Sequence, residues 1–147
     1  MEEYRTTITA DGERLKRCMD ELVKTKLYVG FKAGEHTEKD GSDVATVAMQ
    51  NEFGTDKIPA RPFMSRTFDD HDGEIIKLVK DAVSEEEDAA GIFRIIGEGI
   101  AELMKAEIES GDYAPNSPVT IARKGSDIPL IDTGTMRDSV EYWTQKG

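Results

Sequence analysis

The chain has 147 residues, with 19 basic against 30 acidic side chains, a net charge of −11 and a single cysteine. That length suits one domain over residues 1–147 and buries roughly two-thirds of the unfolded surface, while one cysteine excludes a disulfide framework or a Cys-based zinc cluster. The acidity disfavours a conventional grip on nucleic-acid phosphates, and no apolar run approaches the length of a membrane span.

The polar N-terminus MEEYRTTITADGERLKR lacks the apolar core of a signal peptide, so a soluble protein made in a cytoplasm is expected. Tyr4 to Thr9 alternate and predict a short strand. Asp11 is placed to cap a helix running to about Lys24, with Leu15, Cys18, Met19 and Leu22 on one face. Lys26-Leu-Tyr-Val-Gly-Phe-Lys32 is β-branched and aromatic and predicts the best strand of the chain. A polar loop, AGEHTEKDGS, follows at residues 33 to 42.

Asp43 is positioned to cap a short helix, VATVAMQNEF, and Gly54 to end it. In Ile58-Pro-Ala-Arg-Pro-Phe-Met64, Pro59 and Pro62 push the residues before them, Ile58 and Arg61, into extended backbone. From Ser65 the pattern turns helical, with Phe68, Ile75, Ile76, Val79 and Val83 recurring at three- and four-residue steps and Gly73 weakening the middle. Ser84-Glu-Glu-Glu87 carries a capping-box signature, which divides this region from a second helix over about Glu85 to Glu109. Its stripe is Ile92, Ile96, Ile100, Leu103 and Ile108. Ser110 to Ile131 then reads as one long loop, rich in glycine and proline, of the kind that is usually functional. Met136 to Thr144 closes with a helical turn and the strand VEYWT. The expected fold is α+β: a small antiparallel or mixed sheet packed against two longer helices, with long assembly loops.

Chemistry-bearing motifs are few. Asp132-Thr133-Gly134 behind Leu130 and Ile131 matches the catalytic run of aspartic proteases, whose two carboxylates share a proton. That chemistry needs dense strand content and a good deal of strand after the motif, and little chain follows Gly134. The plainer reading makes Asp132, Thr133 or Thr135 the cap of the next short helix, with Gly134 in the turn. Lys124-Gly125-Ser126 has the wrong order for a phosphate loop. Phe68-Asp-Asp-His-Asp72 puts ligand types on consecutive helical positions, which diverge around the axis rather than converge on a metal. His36 stands among Glu35 and Glu38 in a loop and reads as solvated. With two histidines and one cysteine, no nucleophile–base pair emerges. No catalytic residue, cofactor or metal site is expected.

Two longer stretches are more specific: VGF…DGSDVATVAMQNEFGTDKIPARPFM at residues 29 to 64, and APNSPVTIARKGSDIPLIDTGTMRDSVEYW at residues 114 to 143. Together they resemble the tail-completion and neck (head–tail joining) proteins of tailed bacteriophages, of the virion morphogenesis type. In that family a helix ending N-E-[FY]-G-T precedes I-P-[AP]-R-P-F. A later P-[NL]-[SA]-x-x-T-x-x-x-K-G-S segment leads to P-L-x-D-T-G and a short helix. Both motifs stand here in the right order, over about residues 26 to 143. Met136 replaces the family's usual Leu, a swap that keeps volume and hydrophobicity.

The resemblance implies a small virion component without catalysis or cofactor, made in the bacterial host. It would assemble with itself into a ring, commonly sixfold, at the top of the tail or between the tail and the head connector. Its partners would be connector or adaptor proteins and tail-tube or terminator proteins. No membrane and no sequence-specific nucleic acid is implied, although DNA would pass through the ring. Tail-terminator or minor tail protein is the nearest alternative, and an aspartic-protease-like enzyme using Asp132 the remoter one. A ring is built from head-to-tail contacts between two different faces. The candidates for those faces are Phe53, Ile58, Arg61, Phe63 and Met64 in the first stretch, and Pro115, Arg123, Lys124 and Leu130 in the second. Arg61 and Arg123 are the candidate cross-subunit partners for acidic groups. For Phe53, Phe63 and Leu130, packing within the chain is the competing expectation. The acidity is expected to line a lumen that repels phosphates.

Overall fold

In the computed structural model, which describes residues 10–86, 88–116, 120, 122, 130 and 134–147, the fold is α+β. The elements in chain order are α1 (Ala10–Lys24), β1 (Thr25–Gly30), α2 (Val44–Phe53), α3 (Phe63–Asp70), α4 (Asp72–Glu85), α5 (Ala89–Glu109), α6 (Thr135–Asp138) and β2 (Glu141–Lys146). β1 and β2 pair antiparallel, from Thr25 opposite Lys146 to Gly30 opposite Glu141. Strand alternation turns Leu27, Val29 and Tyr142 to one face and Lys26, Tyr28 and Trp143 to the other. The first face lies on α5, where Gly97 leaves room for the Tyr142 ring. A Cβ at Gly97 would stand 2.4 Å from Tyr142 Cγ. On the other face Tyr28 and Trp143 stack with centroids 5.6 Å apart, and Lys32 Nζ lies 5.4 Å from the Trp143 ring.

The helix α5 is the spine, because its apolar stripe is wide enough to serve two clusters. Ala101, Met104 and Ile108 pack with Val44 and Ala48 of α2, Phe63 of α3, Leu130, Met136 of α6 and Val140. Ala89 and Ile92 pack with Cys18 of α1 and Ala82 of α4. Cys18 is therefore a buried thiol on the first helix.

Several sequence expectations meet the structure directly. Asp43 caps α2, its carboxylate accepting from Thr46 N, and Gly54 ends that helix at φ 74°. A Cβ at Gly54 would also stand 2.8 Å from Ala60 N, so the turn needs glycine twice over. Gly134 is left-handed, at φ 84°, at the start of α6. The strand expected over Tyr4 to Thr9 and the cap residues Asp132 and Thr133 lie outside the described residues.

Other expectations need correction. The helical region after Ser65, expected to run unbroken to about Ser84, is interrupted at His71, and Gly73, expected to weaken its middle, sits in the first turn of α4. Ser84 is not the cap of α5: it lies within α4 and donates to Lys80 O, while Asp88 caps α5 by accepting from Gly91 N. A hydroxyl four residues into a formed turn has its carbonyl partner at hand, so the helix runs past it. Most of the apolar stripe expected to bury α3 and α4 faces outward. Phe68, Ile76, Val79 and Val83 are exposed, and Ala82 is the residue α4 buries. On α1, Leu15 and Met19 are likewise exposed. Periodicity identifies an apolar side but not whether a neighbour covers it.

Candidate functional site

A dense constellation of partnered polar groups lies where α2, α3 and the end of α5 meet. It begins with Glu52, which is buried at the last turn of α2. The cap position of α3 is Pro62, which has no side chain able to accept from the helix. Glu52 supplies the missing acceptor from another helix: Met64 N donates to Oε2 at 2.8 Å and Ser65 N to Oε1 at 3.0 Å. The Ser65 hydroxyl also donates to Oε1. Free N–H groups and the positive helix end explain why a carboxylate is tolerated there.

The turn between these helices is closed by Thr55, whose N–H donates to Ile58 O at 2.9 Å. Its hydroxyl accepts from Lys57 N and Ile58 N. Arg61 then points inward, 5% exposed. Its Nε donates to Ala114 O at 2.8 Å, and its terminal nitrogens reach Asn51 Oδ1, Pro115 O and Asn116 Oδ1 at 3.3–3.4 Å. The planar fork of a guanidinium meets several acceptors at once, as an ammonium could not. All four acceptors are neutral, and burial lowers the Arg61 pKa from its usual value. Arg61 thus ties the residues 51–63 turn to the loop after α5.

A second cluster adjoins it. Glu107, buried on the stripe of α5, accepts from Tyr113 OH at 2.6 Å through Oε2 and faces His71 Nε2 at 2.9 Å through Oε1. The other ring nitrogen of His71 lies 2.8 Å from Glu74 Oε1. Arg66 covers the Tyr113 ring at 4.8 Å, pairs with Asp70 and Asp112, and donates to Asp112 O. The Glu74 and Glu107 carboxylates raise the His71 pKa, and burial together with the bond to Glu107 raises that of Tyr113. The Arg66 pKa is raised too, first by its bond to Asp112. These are satisfied groups, so the cluster fastens elements rather than offering a nucleophile.

A third group, Glu35, His36 and Glu141, brings three ligand atoms within 4.8 Å of one another. Lys32 Nζ already stands 3.7 Å from Glu35, and Glu35 is open to solvent, so the group reads as a surface ion cluster.

The nine residues expected at an interface divide accordingly. Phe53 is 76% exposed at the end of α2, Pro115 is exposed, and Ile58 and Met64 are half-buried. Phe63 and Leu130 lie in the main core, where the competing expectation of internal packing holds. Arg61, expected to reach another subunit, is occupied within its own chain. Arg123 and Lys124 lie outside the described residues. Arg66, Glu107 and Tyr113 do not stand out in the sequence, while Glu52 stands there only as part of the helix-end motif and His71 only as part of the Phe68-Asp-Asp-His-Asp72 run. One signal is present: Glu107 continues the Ile100, Leu103, Met104 spacing, so a carboxylate stands on an apolar stripe. Nothing local marks the pairing of His71 with Glu107, which is 36 positions away.

Comparison with models of protein families, with curated proteins and with solved structures returns no match to this chain.

Proposed function

We propose that this chain is a structural protein of the tailed-phage head–tail interface, acting by assembly into a ring. The observation that carries the reading is the Arg61 tie. Two stretches that resemble the tail-completion and neck family, far apart in sequence, meet at one buried guanidinium through Asn51, Ala114, Pro115 and Asn116. Motif residues that serve each other in the fold are harder to attribute to chance than two isolated matches.

Exposed apolar surface supports the same reading. Met49 and Phe53 project from α2, Leu15, Met19 and Val23 from α1, and Ile76, Val79 and Val83 from α4. Solvent-facing apolar rows on three helices give a subunit different faces to offer its neighbours. Phe53 is the anchor of the α2 face, since large aromatic side chains dominate interface energetics. The partners would be further copies of the chain, a connector or adaptor above and a tail tube or terminator below. The carboxylate excess, a net −11, would line a lumen through which DNA slides without adhering.

The test is electron microscopy of particles from the encoding phage with this gene deleted. Full heads lying apart from finished tails are the expected result. Tails of irregular length would assign the terminator position instead. Normal joined particles would overturn the assembly reading and return attention to Asp132 as a protease carboxylate.

A further inference from the structure

We infer that His71 is a pH-sensitive latch, its doubly protonated ring fastening the first turn of α4 to the last turns of α5. The geometry requires the charge. Ionised carboxylates only accept hydrogen bonds, and each ring nitrogen of His71 stands within 2.9 Å of one, Nδ1 on Glu74 and Nε2 on Glu107. Both nitrogens must therefore donate, which only the imidazolium can do.

A neutral ring has one N–H for two acceptors. Glu107 keeps it, because its side chain is 9% exposed and cannot turn to water. Glu74, 63% exposed, then faces a lone pair and leaves for solvent. With it goes the brace on the turn in which Ile75 N donates to His71 O. His71 stands at the break between α3 and α4, so that turn is the first of a new helix, and its N-terminal residue supplies no side-chain cap.

The charged or titratable groups joined to the ring or to its buried partner fit this assignment. At the ring stand Glu74 of α4 and Glu107 of α5; around Glu107 stand Arg66 and Asp70 of α3 with Asp112 and Tyr113 of the following loop. Arg66 is held by Asp70 and Asp112, and lies 4.0 Å from Glu107 Oε2. Tyr113 donates to that same oxygen at 2.6 Å. Glu107 Oε1 is thus left to His71, and both charges in contact with the ring are carboxylates. This surplus favours the imidazolium, in keeping with the raised His71 pKa.

The sign follows. A folded-state value above the ordinary ~6.5 means the latch contributes fully below that pH and is lost as pH rises through the folded value. The experiment is a proton–carbon NMR titration of the two histidine rings between about pH 5.5 and pH 9, assigned with His71→Gln. Amide exchange of Ile75, corrected for intrinsic base catalysis, is followed alongside. The His71 midpoint is expected above ~6.5, with protection of the Ile75 amide falling roughly two- to five-fold at that same midpoint. His71→Gln is expected to show no step. A midpoint at or below ~6.5, or protection flat across it, would overturn the latch, and both readouts come from the wild-type chain.

Discussion

Arg61 and Glu107 are both charged, both buried, and both tie the loop after α5 to the helices before it, yet they are held in opposite ways. Arg61 gives its donors to carbonyl and amide oxygens, none of which titrates. Glu107 is held by a histidine and a tyrosine, with an arginine behind. A guanidinium on neutral acceptors holds at any pH a protein meets. A carboxylate on an imidazole loses the charge on its partner once the ring gives up its proton, and keeps a neutral N–H alone. Two anchors on one loop thus differ in whether solution conditions reach them.

The comparison breaks most readily at Arg61. Arg61→Met is expected to cost about 3 kcal/mol, since a charged hydrogen-bonding group and its several acceptors lose one another. The loss should be the same at about pH 6 and pH 8.5, read from urea midpoints. Arg61→Lys should recover little of it, because one ammonium cannot span the fork. A strong pH dependence of the Arg61→Met loss would show the two anchors to be coupled rather than separate.

Gly97→Ala supplies a perturbation remote from both anchors. The new Cβ would meet the base of the Tyr142 ring, so overpacking of about 2 kcal/mol is expected, partly offset by helix propensity. Its effect on thermal stability should likewise be independent of pH.

Tyr113→Phe sharpens the contrast from the other side. Removing the hydroxyl from Glu107 should cost about 1 kcal/mol. With one donor gone, Glu107 relies more on His71, so the ring's titration midpoint should move upward in the same NMR experiment. An unchanged midpoint would mean that the two donors act on the carboxylate independently.

The smallest effect on stability is expected at Phe53. With its side chain largely in water, Phe53→Ser should change the unfolding free energy by no more than about 0.5 kcal/mol. On the proposed function it should nonetheless abolish joining of heads to tails when carried in the phage. Unimpaired joining would remove the α2 face from the assembly.

Much of the backbone is legible in the residues themselves. Asp43 caps α2 three residues from the amide it serves, and Gly54 ends the helix because its φ is one that other residues resist. The strands at residues 25–30 and 141–146 follow from their β-branched and aromatic content, although only the tertiary fold pairs them. The motif Asn51-Glu52-Phe53-Gly54 is legible as a pattern, but not as a division of labour in which Glu52 and Asn51 turn inward and Phe53 outward.

What the sequence by itself determined is what neighbouring residues decide among themselves: the Asp43 cap, the Gly54 stop and the apolar side of each helix. These depend on contacts a few positions apart, and the physics of a single turn suffices for them. The tertiary structure alone decided which apolar sides are covered, leaving Ile76 and Val83 in water while Ile100 and Ile108 are buried. It alone also brought Arg61 to Ala114 and His71 to Glu107. Burial and long-range pairing depend on how all the elements stack at once, and no local spacing encodes that.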